Sequence, residues 1–163
     1  KEKLLIQPSR KSKQKVTKSL SRTVKYYHEA SQETLIIKLN QITRGWAEYH
    51  HCVCAKKTYA LIDHRLWEML WKWAKRRHPR KGRKWIKNRY WHPKGNREWS
   101  FRTDRAILYQ MMDMPIVRIR SLDLKKNPFL DSDYFEHRRK QHKKDKETAY
   151  FSSTAALSGY YAL

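Results

Sequence analysis

Between Lys72 and Arg97 the sequence carries twelve Lys or Arg and no Asp or Glu, with Trp73, Trp85, Tyr90 and Trp91 set among them. Side chains of these types bind rather than react. Ammonium and guanidinium groups neutralise phosphates and release counterions, while indole and phenol rings offer faces to unpaired bases. The residues expected to grip a nucleic-acid backbone are Arg44, Lys56, Lys57, Lys72, Lys75, Arg76, Arg77, His78, Arg80, Lys81, Arg83, Lys84, Lys87 and Arg89. Trp85, Tyr90 and Trp91 are the candidates for base stacking. Residues 1–27 repeat the theme, with nine Lys or Arg against the single acid Glu2. A helix there can track a backbone with its polar face, and a merely solvated face is an equal reading.

Other chemistry finds less support. His50, His51, Cys52 and Cys54 are zinc-ligand types, but on one helix positions 50 and 54 share a face while 51 and 52 point elsewhere, and no second ligand pair follows at zinc spacing. They are expected to be packing residues, with no metal bound. The Cys52–Cys54 spacing suits neither a disulfide framework nor a zinc ribbon, so both thiols are expected to be reduced. Asp63-His64 invites a general-base reading with Asp104 or Asp113 as partner, but nothing beyond residue type carries it; Asp63 is expected to support its own helix or to accept from a neighbouring Arg. The four Gly are scattered, so there is no phosphate loop, and no paired carboxylates accompany a nucleophile. No catalytic residue and no cofactor of the chain's own is expected.

These groups need a scaffold, and apolar periodicity supplies one. Ser9 can cap a helix with Val16, Leu20, Val24 and Tyr27 on one stripe, and Ser31 a second with Leu35, Leu39, Ile42, Trp46, Tyr49 and Val53. A third helix starts near Thr58, carries Tyr59, Ile62, Leu66, Met69 and Trp73, and is stopped by Pro79. The fold class is mainly α: a three-helix bundle, then a short basic helix in residues 80–91 before Pro93 and Gly95 break the chain. A small two-stranded β element, Glu98–Arg102 pairing with Ile116–Ile119, and a C-terminal basic helix capped by Asp131 or Ser132 follow. The expected core is Leu39, Ile42, Trp46, Tyr49, Ile62, Leu66, Met69 and Trp73. Trp67 and Trp71 lie on another face, open to RNA or a neighbouring domain. The expected divisions are residues 1–7 as the end of a strand from a longer protein, 8–79 as the bundle, 80–146 as a basic nucleic-acid-binding segment and 147–163, which lose all Lys and Arg, as a poorly ordered tail.

Composition bounds the function classes. A formal net charge of +23 on 163 residues opposes compaction unless a polyanion neutralises it. Aromatic content of 13%, with seven Trp, exceeds what disordered chains carry. No run of about 18 apolar residues spans a bilayer and no signal peptide opens the chain, so the expected compartment is the cytoplasm, without a membrane partner.

The run RGWAEYHH at 44–51, Lys56 to Tyr59, and LIDHRLWEMLWKWAKRRHPRKGRKWIKNRYW at 61–91 resemble the maturase-specific domain of group II intron-encoded proteins. The resemblance continues through GNREWSF at 95–101 and NPFLDSDYFEHRR at 127–139 and covers roughly residues 1–140. Arg44, Gly45, Trp46 and Tyr49 fit one block of the family pattern, Trp73, Arg76, Arg77, His78 and Pro79 another, and Lys56 a family lysine; Ala55 stands where a serine is common. The resemblance implies a reverse-transcriptase thumb that holds group II intron RNA in its splicing-competent fold, followed by a basic segment for target DNA. It implies fingers and palm in a parent reverse transcriptase and a strand end in KEKLLIQPS. The polymerase aspartates and the nuclease cysteine pairs are missing, so neither DNA synthesis nor cleavage is expected, and any magnesium would belong to the RNA or to the polymerase part. Two rival readings are a thumb that clamps template–primer duplex and a structural RNA-binding protein without target preference.

Overall fold

Ser9 and Ser31 each accept a backbone N–H three residues on, from Ser12 and Thr34, both at 3.1 Å, and so start two helices. A computed structural model describes residues 5–95, 97–117 and 121–154 of the chain. The described residues are mainly helical: α1 (Arg10–Tyr26), α2 (Gln32–Tyr49), α3 (Lys56–Arg77), α4 (Arg83–Tyr90) and α5 (Ser132–Thr154), with strands β1 (Trp91–Lys94) and β2 (Arg97–Phe101). α1 packs on both α2 and α3. Its buried stripe is Val16, Leu20 and Val24, as the periodicity predicts, with Tyr27 half-buried.

The core face of α2 departs from the predicted stripe. Leu35 and Leu39 are buried, but they are joined by Ile36, Thr43, Ala47 and His50, while Ile42 and Trp46 lie at the core margin and Tyr49 is 78% exposed. At Ala47 the Tyr59 ring of α3 comes close enough to donate its hydroxyl to the Ala47 carbonyl at 2.8 Å, which puts Ala47 rather than Tyr49 on the face that meets α3. The helix ends at Tyr49, so Val53 lies beyond it. On α3, Tyr59, Ile62, Leu66 and Trp73 are buried as predicted, joined by Leu70 and Ala74, whereas Met69 is half-buried. α3 begins at Lys56, two residues before the predicted start, and Ala55 precedes it without a side-chain cap.

The β element forms with a different partner. β2 pairs antiparallel with β1, with Trp91 opposite Phe101 and His92 opposite Ser100. Pro93 and Gly95 shape this hairpin rather than break the chain. Proline has no N–H to donate, and the register shifts between His92 and Lys94; Gly95 turns the chain at a φ of 52°, which favours glycine. Ile116 and Val117 are outside any strand, and residues 118 and 119 lie outside the described residues. Residues 5–7 are likewise outside any strand, and residues 1–4 are not among those described. The expected tail is helical as far as Thr154, and residues 155–163 lie outside the described residues. Tyr150 donates its hydroxyl to Glu48 of α2, and Lys146 pairs with the same carboxylate at 3.0 Å. Burial alone would raise the pKa of Glu48, but these bonds and the Lys146 charge hold it below the ordinary value.

Polar side chains fasten the later segments to the bundle. Gln32 donates to the carbonyls of Tyr90 at 2.9 Å and Arg102 at 3.1 Å; Asn40 donates to Ile107 at 2.8 Å and accepts from the Tyr109 N–H at 2.7 Å. Asp63 neither supports its own helix nor takes a bond from an arginine in the way expected. Its two oxygens accept the backbone N–H groups of Met111 and Met112 at 3.1 and 2.9 Å, capping the 3-10 turn at Met111–Asp113. Burial pushes its carboxyl up to about 6, against the pull of those two amides.

Two outcomes follow. Trp91 is buried with its indole N–H lacking an acceptor among the described residues. Trp91→Ala should therefore cost about 3–5 kcal/mol, Trp91→Phe much less, and Tyr49→Ala no more than about 0.5 kcal/mol, all read from urea unfolding. A native Asp63 value of about 6 against an ordinary 3.8 means that the folded chain takes up this proton more readily than the unfolded one, so the contribution of Asp63 is greatest below about pH 4 and is lost as pH rises through about 6. The stability of the wild type relative to Asp63→Asn should fall across that window; parallel curves would contradict it.

Candidate nucleic-acid interface

Lys11, Lys15, Lys18, Arg22 and Lys25 alternate spacings of four and three along α1 and form one exposed stripe of cations. On α3, Arg65, Met69, Lys72 and Arg76 follow the same rhythm. Packing α1 on α3 turns the two rows towards each other. A cavity of about 820 Å³ lies between Val24, Lys25 and His28 on one side and Lys72, Arg76 and Arg77 on the other, with Met69 and Trp73 at its base. A second, of about 500 Å³, is lined by Lys18, Arg22, Lys25, Arg65 and Met69. They share Ser21, Lys25 and Met69, and so form one continuous groove with basic walls and an apolar floor. Glu29 is the acid at its rim.

The end of the groove is braced by groups that the sequence assigned to ligand binding. Arg77 donates to the carbonyls of Ala30 and Glu29 and lays its guanidinium 4.6 Å from the centre of the Trp73 ring, while the Trp73 indole donates to Tyr27 at 3.2 Å. These bonds pin the α1–α2 loop to the end of α3. His78 shares a hydrogen bond of 2.8 Å with the Tyr90 hydroxyl.

The fourteen expected backbone contacts therefore divide. Lys72, Arg76 and Arg77 line the groove. Arg80, Lys81, Arg83, Lys84 and Arg89 are exposed at and around α4, while Lys57 and Lys75 are exposed on α3 outside the groove lining. Lys87 is half-buried with its ammonium 4.8 Å from the Trp99 ring centre. Two cations are engaged by the chain itself: exposed Lys56 donates to the carbonyls of Met112 at 2.6 Å and Met114 at 2.7 Å, and half-buried Arg44 lies 5.5 Å from the centre of the Tyr109 ring. Of the stacking candidates only Trp85 keeps an accessible face, at 39% exposure, between His78 and Lys81. Tyr90, the last residue of α4, is buried against Trp73 of α3, and Trp91 is buried against Trp71 where β1 turns back onto α3.

The histidines and cysteines of 50–54 do not converge. His50 packs on Trp46 and shares a bond of 3.2 Å with Ser12, which also accepts the Trp46 indole N–H at 3.1 Å; burial lowers the His50 pKa. The His51 ring bonds to the Glu48 carbonyl, and Cys54 is exposed. Trp67 and Trp71 stack on each other and pack at a tilt against Trp91 and Trp99 of the hairpin, which covers part of that face. Among the described residues no helix is long and apolar enough to cross a membrane.

The sequence reading took Lys18, Arg22 and Lys25 only as part of a basic segment that can track a backbone, and it did not single out Arg65. Their three- and four-residue spacing was in plain view, but which face of α1 meets α3 is a tertiary fact.

Fold and groove together define a small basic helical bundle with a cation-walled cleft between its first and third helices. Residues 11–91, from α1 to the first residue of β1, match the model of the group II intron, maturase-specific domain, and this part of the chain belongs to that family. The match ends at Trp91 and does not extend to GNREWSF at 95–101 or NPFLDSDYFEHRR at 127–139. No curated protein matches the chain.

Opposed rows of like charge weaken the bundle that holds them. Replacing Lys18 and Arg22 with Gln should raise the melting temperature at low salt. That gain should fade as salt rises from about 0.01 M to about 1 M, where the Debye length falls from about 30 Å to about 3 Å. An equal gain at both extremes would mean that charge repulsion is not its source.

Proposed function

We propose that this chain is a splicing maturase module that binds group II intron RNA through the α1/α3 groove and holds it in the fold competent for splicing. The observation that carries the reading is the meeting of two independent cation rows across one groove, within the segment that belongs to the maturase-specific family. Phosphates entering the groove find ammonium and guanidinium groups on both walls, and counterion release drives their binding. The exposed cations around α4, with Trp85 among them, extend the grip to further RNA or to target DNA. The protein's part is binding, and the RNA performs the cutting and joining.

Such a module acts only by preferring one RNA fold over others. Turning a 1:99 population into 99:1 takes about 5.5 kcal/mol of differential affinity. Charge-assisted hydrogen bonds contribute about 1.5–3 kcal/mol each before ordering costs. A few contacts available only in the compact RNA therefore suffice.

The test is a salt-titrated binding measurement against a group II intron RNA, an unrelated structured RNA of equal length and a template–primer duplex. The intron should bind most tightly at every salt concentration. Combining Lys18→Gln, Arg22→Gln and Arg76→Gln should flatten the salt slope by up to about 0.7–0.9 per lost phosphate contact. Coincident curves for the two RNAs would leave only electrostatic grip without target preference; tightest binding to the duplex would point to a polymerase thumb.

A further inference from the structure

α3 carries the groove on one flank and a second surface on the other. Helical geometry sets Trp67 and Trp71 on roughly the opposite side from Arg65, Lys72 and Arg76. There the two indoles stack with centroids 5.7 Å apart and planes 13° apart, His64 lies parallel to Trp67 at 6.4 Å, and Trp99 of β2 leans on both at 6.1 and 6.2 Å. The hairpin does not seal this cluster. Trp99 is 41% exposed, and Trp67 and Trp71 are half-buried.

The charge beside these rings is positive. Lys87 places its ammonium over the Trp99 ring, and the segment from Lys72 to Arg97 that supplies Lys87, Trp91 and the turn contains no acid. Of the acids nearby, Glu68 pairs with His64 at 3.6 Å, and strand alternation directs Glu98 to the opposite face from Trp99.

We propose that Trp67, Trp71 and Trp99 form a stacking platform for unpaired bases of a nucleic-acid strand, with Lys87 meeting the adjoining phosphate. An apolar protein surface laid here would strip water from the Lys87 ammonium and return no opposite charge. A strand returns one with every nucleotide, and indole faces accept any base because every base has a π-face. This inference rests on the reading of the chain as a nucleic-acid binder, but it uses residues separate from the groove.

The experiment compares the full chain's affinity for a short single-stranded RNA with that for an abasic strand of the same length and charge, at matched salt. The strand with bases should bind about five- to a hundredfold more tightly. Trp99→Leu should remove most of that gap and Trp99→Phe should keep much of it, while Lys18→Gln with Arg22→Gln should weaken both strands without narrowing it. Equal binding of the two strands to the wild type, or a gap that survives Trp99→Leu, overturns the platform; if intron RNA still binds with its salt dependence, the groove reading stands. Loss of binding to every RNA overturns both. Should Trp99→Leu fail to fold, the wild-type comparison and Trp99→Phe still decide.

Discussion

Val16, Leu20 and Val24 are the side chains that α1 buries, and beside that stripe its surface bears the same charge as the α3 wall across the groove. Full burial is worth about 1.5–3 kcal/mol for each such side chain. Two unit charges in water repel by about 1 kcal/mol at 4 Å, and less at the wider spacing of a groove. Burial wins by a modest margin, so α1 docks while the charged rims stay apart. The open cleft is the geometry in which those two terms balance, with half-buried Met69 and the buried Trp73 ring beneath its floor.

Polar side chains elsewhere do what a larger apolar core would otherwise do. Gln32 and Asn40 offer amides to backbone groups that no strand satisfies, Asp63 caps a single turn, and Lys56 gathers two carbonyls at the far side of that turn. Arg77 does the same for the α1–α2 loop. A cation whose donors point at loop carbonyls of its own chain is committed to the fold. Lys57, Lys72, Lys75, Arg76 and, at and around α4, Arg80, Lys81, Arg83, Lys84 and Arg89 face outward.

Much of this was legible in the sequence, and the failures share a cause. Caps at Ser9 and Ser31 and the stripes of α1 and α3 are local properties, set by the helical repeat and by hydroxyl chemistry, and apart from half-buried Tyr27 and Met69 they appear as read. The α2 face was misjudged at Tyr49 because the spacing of threes and fours was followed through the large side chains, whereas close approach of Tyr59 favours Ala47. Trp91 was offered as a stacking face because β1 was unforeseen, and Tyr90 because an eight-residue helix shows too little of its repeat to mark the buried face; a four-residue strand holding a proline carries almost no periodic signal. Lys56 and Arg44 were counted as ligand contacts because composition cannot tell an ammonium aimed at a phosphate from one aimed at Met114. The groove combined two readings made separately, a weak one on α1 and a strong one on α3, and the packing that joins them lies in no single segment.

The partners of Gln32 and Asn40 lie 58 to 70 residues downstream in the chain. On a ribosome adding about 5–20 residues per second, the three helices emerge seconds before β2 and the turn at Met111–Asp113 exist to meet them. Through that interval Trp67 and Trp71 have no hairpin to lean on, and two amides of α2 face water. The newborn bundle is therefore stickier than the finished one, and its fate depends on how soon the ribosome delivers the segment that covers it.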